Sequence, residues 1–301
     1  MIHCGGKHMQ RHQARQAGLV LSILILGLTQ ACKHLGGDSS EMMGQPVTSE
    51  DPIASHTVSI MDPNPDVGQY CTAVVLARDI LLTAAHCFND KERRAYALFN
   101  TAYNPRLSNK QQPLLKIRRI AVHSEYSREK GDAYDRKIID AKNHSEIVSP
   151  GRPLYDIALA YIADRIPDSY QPAPLAGVNA DLVSGEITTA GYGCTATNCR
   201  GKNNILHKFP MRYVKSFPEA GMVVLTAENR QGSCSGDSGG PNFIDEGGIL
   251  RVFALVSTGP DSCETGLSVD TLIAPYKGWI EQAMSAVRSG RRGASYKLTE
   301  F

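Results

Sequence analysis

The sequence predicts an all-β fold, a sandwich or barrel, and three observations carry the prediction. Short β-branched runs recur from Ile53 onward, turn residues separate them, and helical periodicity is nearly absent. Of 301 residues, 27 are Gly and 16 are Pro but only one is Trp, and this dense punctuation suits short strands better than a helical bundle. With 42% hydrophobic and 21% charged residues and a formal net charge of +2, the composition excludes collagen-like, acidic disordered and strongly basic nucleic-acid-wrapping proteins. A chain of this length buries roughly three quarters of its unfolded surface, as one large domain or two lobes, so neither disulfide nor metal is needed merely to fold.

Residues 1–32 read as an export signal. Lys7, Arg11 and Arg15 form a positive start, and residues 17–28 are an apolar run of twelve. That is too short for a bilayer, which takes about twenty apolar residues as a helix. Cys32 follows Ala31 and is a lipidation candidate of the bacterial lipoprotein type, although Gln30 departs from the usual small residue. Each buried CH₂ of an attached acyl chain would add about 0.8 kcal/mol of membrane affinity. Residues 33–50 are rich in Gly, Ser and charge, and 33–41 are assigned to a tether or pro-segment.

The strands follow in order. Residues 57–60 alternate, 71–76 are a β-branched run, and 80–83 follow a short turn carrying Asp79. Residues 116–122, 157–162, 186–190, 222–226 and 250–257 repeat the pattern. Residues 84–88 are helical in pattern but too short to be more than a turn. Residues 275–287 place Pro275 near the start and Trp279, Ile280, Ala283, Met284 and Val287 on one face, which predicts a terminal amphipathic helix docked on the body. The remainder, 288–301, reads as a flexible basic tail. Asn143-His144-Ser145 is a glycosylation sequon, relevant only in a host that modifies exported chains in this way.

Eight cysteines acquire meaning in an exported chain, which meets an oxidising compartment. Cys4 leaves with the signal and Cys32 is the lipid candidate, so Cys71, Cys87, Cys194, Cys199, Cys234 and Cys263 remain for disulfides, with fifteen connectivities open. Their spacing is not that of a zinc knuckle, and neither a metal nor a cofactor is expected.

Three segments carry chemistry. Residues 82–87 (LTAAHC) run a strand into a small-residue turn that ends in His86, and Asp156 opens the apolar strand DIAL. A carboxylate entering a core needs partners, because an unpaired buried charge is costly. In residues 232–241 (GSCSGDSGGP) four glycines surround Ser238, a concentration of backbone freedom that frees the amides of Gly236 and Ser238 to bind a developing oxyanion. A serine hydroxyl is a poor nucleophile without a base held in the right tautomer by a third group. His86 and Asp156 fit those two roles.

With this order of His, Asp and Ser, the sequence resembles the trypsin-like serine proteases. The lipoprotein-type signal points to a bacterial exported member. The resemblance runs from about Met42 to Ala286 and includes Ala190-Gly191-Tyr192-Gly193, Val256-Ser257-Thr258-Gly259 and Trp279-Ile280. It implies two six-stranded antiparallel β-barrels with the active site between them and a C-terminal helix, within a protease domain at 42–287. It also implies disulfides Cys71–Cys87 and Cys234–Cys263, which leave Cys194 to Cys199. Substrate backbone would pair with residues 257–259 as an added strand.

Several departures from the family pattern shape the expected specificity and activation. The position six residues before the nucleophile is Gly232 rather than an acid, and with Ser233 beside it and Gly259 and Gly266 at open pocket walls, the expectation is an uncharged S1 pocket favouring apolar or aromatic residues. Asp261 and Glu264 are the acids that would restore a basic preference. Thr258 replaces the aromatic residue usual beside the substrate strand. In the family a new Ile or Val N-terminus pairs with the aspartate before the serine, here Asp237; cleavage after Glu41 would offer Met42 instead. Residues 127–150 are an insertion relative to compact members and read as a solvated surface loop. Protein or peptide substrates, an activating protease and a protein inhibitor are the expected partners of a monomer. No nucleic acid is expected, and a membrane only through a lipid anchor. The location implied is secreted or periplasmic, or the outer membrane by that anchor. The alternative is a protease-like binding protein whose N-terminus never completes the pocket.

Overall fold

A computed structural model describes residues 44–64, 66–90, 93–108, 111–177, 180–195, 205–227 and 232–301. The expected signal, tether, Cys32, Met42 and Cys199 lie outside the described residues. Strand β1 (Gln45–Pro46) comes first. The first barrel takes β2 (Thr57–Asp62), β3 (Gly68–Ala77), β4 (Ile80–Thr83), β5 (Tyr96–Leu98), β6 (Leu114–His123) and, after helix α1 (Arg128–Ile138), β7 (Ala158–Ile162). The second takes β8 (Ile187–Gly191), β9 (His207–Phe217), β10 (Met222–Thr226), β11 (Pro241–Asp245), β12 (Leu250–Thr258) and β13 (Leu267–Leu272). Helix α2 (Lys277–Ser289) and strand β14 (Tyr296–Glu300) complete the order.

Each barrel closes on six antiparallel strands, as expected. The first runs β6-β5-β2-β3-β4-β7 and closes by β6 on β7, while the second runs β9-β10-β13-β12-β11-β8 and closes by β8 on β9. One extra strand is added to each, β14 on β6 and β1 on β9. The alternation of strand side chains sends Val58, Ile60, Val75, Leu81 and Ile117 into the first barrel, and Phe209, Met211, Val223, Leu225 and Ile244 into the second. The opposite faces of β3 and β4, with Val74 and Leu82, share a third cluster with Tyr192, Phe243 and Leu255 of the second barrel. This apolar seam fixes one barrel against the other and so sets the geometry of the cleft.

Two expectations need correction. Residues 288–301 are not a frayed tail: β14 pairs with β6 from Tyr296↔His123 to Glu300↔Arg119, and the Phe301 ring packs tilted against Phe88, centroids 6.3 Å apart. The missed signal is the alternation in Tyr296–Glu300, which a basic stretch upstream obscures. Nor are residues 127–150 a structureless loop. Ser127 caps α1 by accepting the Lys130 N–H, and Tyr134 and Ile138 bury a stripe against Leu154 and against Met222 and Leu267 of the second barrel. Helix α1 therefore leaves the first barrel and rests on the second. Helix α2 does the reverse, following the second barrel yet packing against β6 and β7. Among the described residues no helix is long and apolar enough to cross a membrane.

Candidate active site

His86 sits in a single turn, Ala85–Phe88, at the end of β4. The turn is held at both ends of its short span. Cys87 is bonded to Cys71 on β3, and Thr83 Oγ1 donates to the Thr72 carbonyl at 2.8 Å. Asp156, 5% exposed, follows Tyr155, whose φ of 57° turns the chain sharply before β7. Its carboxylate takes three donors: the His86 N–H at 2.8 Å, His86 Nδ1 at 2.8 Å and Ser257 Oγ at 2.6 Å.

The pair shifts in opposite directions. Burial disfavours the charge on Asp156, but His86 and the hydrogen-bond donors outweigh it and hold the carboxyl below its ordinary range. Burial pulls His86 down, yet the charge and hydrogen bond of Asp156, with Asp135 and Asp132 farther off, leave it above its ordinary value. With Nδ1 committed to Asp156, Nε2 is the nitrogen left for proton transfer.

Ser238 lines a cavity of about 310 Å³ together with His86, Ser233, Ser257, Gly259 and Asp261. Its loop needs two glycines. Gly239, at φ 79°, passes so close to Thr83 Oγ1 that any Cβ would collide with it. Gly236, at φ 102°, turns its carbonyl inward to accept from Gln69 Nε2 and Thr72 Oγ1, both at 2.9 Å. Among the described residues neither the Gly236 nor the Ser238 N–H has a hydrogen-bond partner. Between them Asp237, 4% exposed, points away from the cavity and accepts the Gly193 N–H at 2.7 Å and the Cys234 N–H at 2.8 Å. Burial pushes its carboxyl up to about 6 despite those two donors.

The remaining predicted residues are placed as follows. Cys234 is bonded to Cys263, as expected from the resemblance, and Cys194 packs beside that bridge. The Cys194–Cys199 pairing falls outside the described residues. Of the two expected open walls, Gly259 lines the cavity, whereas Gly266 does not: it is buried against the equally buried Gly232, where a Cβ on Gly232 would lie 2.8 Å from Gly266 Cα. Thr258 donates from Oγ1 to Asp135 of α1 at 2.8 Å, and Asp261 N–H reaches the Ile139 carbonyl at 2.9 Å. Helix α1 thus walls a second cavity of about 620 Å³ that shares His86, Asp135 and Thr258 with the cleft. Glu264 is exposed outside both. Cys71, His86 and Cys87 stand close together, but the disulfide takes both sulfurs, so the trio offers no thiolate to a metal.

Sequence reasoning missed the buried network behind Ser233. Ser233 Oγ donates to Ser268 Oγ at 2.8 Å, Ser268 donates to Asp270 Oδ1 at 2.5 Å, and Asn242 Nδ2 donates to Asp270 Oδ2 at 2.8 Å. The signal was present: Ser268 and Asp270 are two residues apart in a strand, hence on one face, alternating with Leu267 and Val269.

A profile described as Trypsin matches residues 47–280. Kallikrein-8 of Rattus norvegicus is 22% identical over 218 residues, covering 71% of this chain and 76% of that protein. Kallikrein-8 of Mus musculus is 24% identical over the same coverage. A solved structure of neuropsin, described as a serine protease expressed in the limbic system of mouse brain, superposes with a TM-score of 0.59 at 20% identity. That match covers 80% of this chain and 98% of the other, and at this identity it speaks for the fold.

Proposed function

The chain belongs to the trypsin family, and from that premise we propose that it is an exported serine endopeptidase that hydrolyses peptide bonds through an acyl-enzyme. The observation that carries the reading is the Ser257–Asp156–His86 bonding beside a cavity that Ser238 lines. Ser238 Oγ attacks the carbonyl while His86 Nε2 takes its proton and later gives it to the leaving amine. Asp156 fixes the tautomer by accepting from Nδ1 and stabilises the imidazolium that forms. The Gly236 and Ser238 N–H groups, which have no other partner among the described residues, receive the oxyanion. Residues 257–259 pair with the substrate backbone.

Activation would follow cleavage after Glu41, whose new Met42 ammonium pairs with Asp237. The buried carboxylate, held by two N–H groups and by no cation among the described residues, supports that role. The bacterial and lipid-anchored parts of the reading rest on residues 1–32, and such a cut would release the domain from Cys32. An apolar or aromatic P1 preference rests on the absence of an acid at Gly232 and on Gly259 at the cavity wall.

Intact mass of the exported protein, before and after a serine-reactive phosphonate, tests the reading beside Ser238→Ala. Stoichiometric labelling of the wild type only, on a chain starting at Met42, is expected. An unlabelled chain already cut there would replace the enzyme with a protease-like binding protein.

A further inference from the structure

Among the described residues Tyr155 is the one non-glycine with a positive φ, 57°. A bulky side chain is strained there, because its Cβ crowds the following carbonyl. The turn itself has no use for a ring. The Ile157 N–H donates back to the Tyr155 carbonyl at 2.8 Å, closing three residues with Asp156 at the apex, and glycine would take up the same φ at no steric cost. Strain of this kind persists only where the surroundings hold it.

What holds it is His123, the last residue of β6. Its ring stacks on the Tyr155 ring with centroids 4.4 Å apart and planes within 19°, and its backbone N–H donates to the Ile157 carbonyl at 3.3 Å. One residue thus grips the turn on both sides of Asp156. His123 is itself pinned: its Nδ1 accepts the Glu125 N–H at 3.2 Å, and Trp279 of α2 and Tyr276 just before it pack on the ring at 5.3 and 5.9 Å. Trp279 is tied down in turn by donating from Nε1 to the Ser295 carbonyl at 2.7 Å. The Asp156 carboxylate has to meet both the N–H and the Nδ1 of His86, a two-point fit that depends on the direction in which its backbone points. Relaxation of Tyr155 to an ordinary φ would swing the carboxylate off that fit.

We propose that His123 is a positioning residue, whose stack on Tyr155 and N–H on Ile157 hold a strained three-residue turn that aims Asp156 at His86. It acts on the reacting atoms only through that turn. Its effect on turnover rests on the endopeptidase reading, whereas the aiming of Asp156 does not.

The test compares Tyr155→Ala, Tyr155→Gly and His123→Ala with the wild type, by NMR titration of His86 and by the rate of labelling with a serine-reactive phosphonate. Alanine removes the ring and keeps the strain, while glycine removes both. Tyr155→Ala and His123→Ala should bring the His86 midpoint down toward 6.5 and slow labelling at least about tenfold. Tyr155→Gly should keep the midpoint above 6.5 and label at least about tenfold faster than Tyr155→Ala. Plain loss of packing predicts the reverse order, because glycine is the more destabilising residue. Burial draws His123 itself below 6.5, so the two histidine signals separate in the wild type. If His123→Ala does not fold, the pair of variants at the half-buried Tyr155 decides. Equal loss in Tyr155→Ala and Tyr155→Gly, or loss in neither, would overturn the inference and, with the wild type labelled, leave the endopeptidase standing. The expected midpoints in a chain already cut at Met42 that resists the phosphonate would uphold the aiming of Asp156 and count against the endopeptidase.

Discussion

Two buried carboxylates stand behind the cleft, one beside His86 and one beside Ser238, and their states differ. Asp156 is 5% exposed and Asp237 is 4% exposed, so solvent exclusion is the same for both. Asp156 has a histidine against it and is held below its ordinary range, while Asp237 has, among the described residues, two backbone N–H groups and is pushed up to about 6. Burial does not decide the charge state of a carboxylate; the partner does. Among the described residues the carboxylate of the histidine half has a charged partner available, and that of the serine half has backbone N–H groups.

The strongest way to break the contrast is to change the histidine half. Asp156→Asn should lower kcat by about 10⁴-fold against peptide substrates, because Nδ1 loses the acceptor that sets the tautomer. The wild-type enzyme needs neutral His86, so kcat/KM should rise with pH, with its midpoint above the ordinary histidine value of 6.5. A pH–rate profile with its midpoint below 6.5 would contradict the Asp156–His86 coupling.

The serine half gives a smaller effect, read as stability. A carboxyl raised from 3.8 to about 6 binds its proton more tightly when folded, so its contribution is present below 3.8 and is lost as pH rises through about 6. A shift of about two units corresponds to roughly 3 kcal/mol. Thermal unfolding of the uncut chain should therefore lose stability across that window, and Asp237→Asn should remove this part of the slope. Cleavage at Met42 should remove it as well, which would sharpen the comparison by supplying a charged partner.

The smallest effect concerns the strand that the basic tail conceals. Phe301→Ala removes the ring packed on Phe88, two residues beyond His86, and should cost about 1 kcal/mol in denaturant unfolding. No change would mean that the end of β14 does not support the histidine turn.

The barrels were legible because each β-branched run is a strand with one face in a core, and β10 falls on residues 222–226 as read. The grouping of His86 with Asp156 and of Ser238 at the same cavity was legible because LTAAHC, DIAL and GDSGG are local signatures of long-range geometry. Other parts depend on neighbours remote in sequence. Helix α1 looks solvated until Tyr134 and Ile138 are set against Met222 and Leu267, and its Asp135 reaches Thr258 across 123 positions. Gly266 reads as an open wall until Gly232 is placed against it. Strand β9 was missed because Pro210 and its charged residues break the apolar pattern, although its inward positions His207, Phe209 and Met211 are buried.

Helix α2 and strand β14 are encoded after the second barrel but belong spatially to the first. Trp279, Ile280, Ala283 and Val287 join the apolar cluster shared with Leu159, and β14 finishes the edge of β6. The protein consequently has no seam at which gene order and architecture agree. Dividing it between β7 and β8 would strip the leading fragment of its cover and leave the trailing one carrying an oily helix with nowhere to rest. The barrels are two in geometry, but as units of inheritance and of folding they are one.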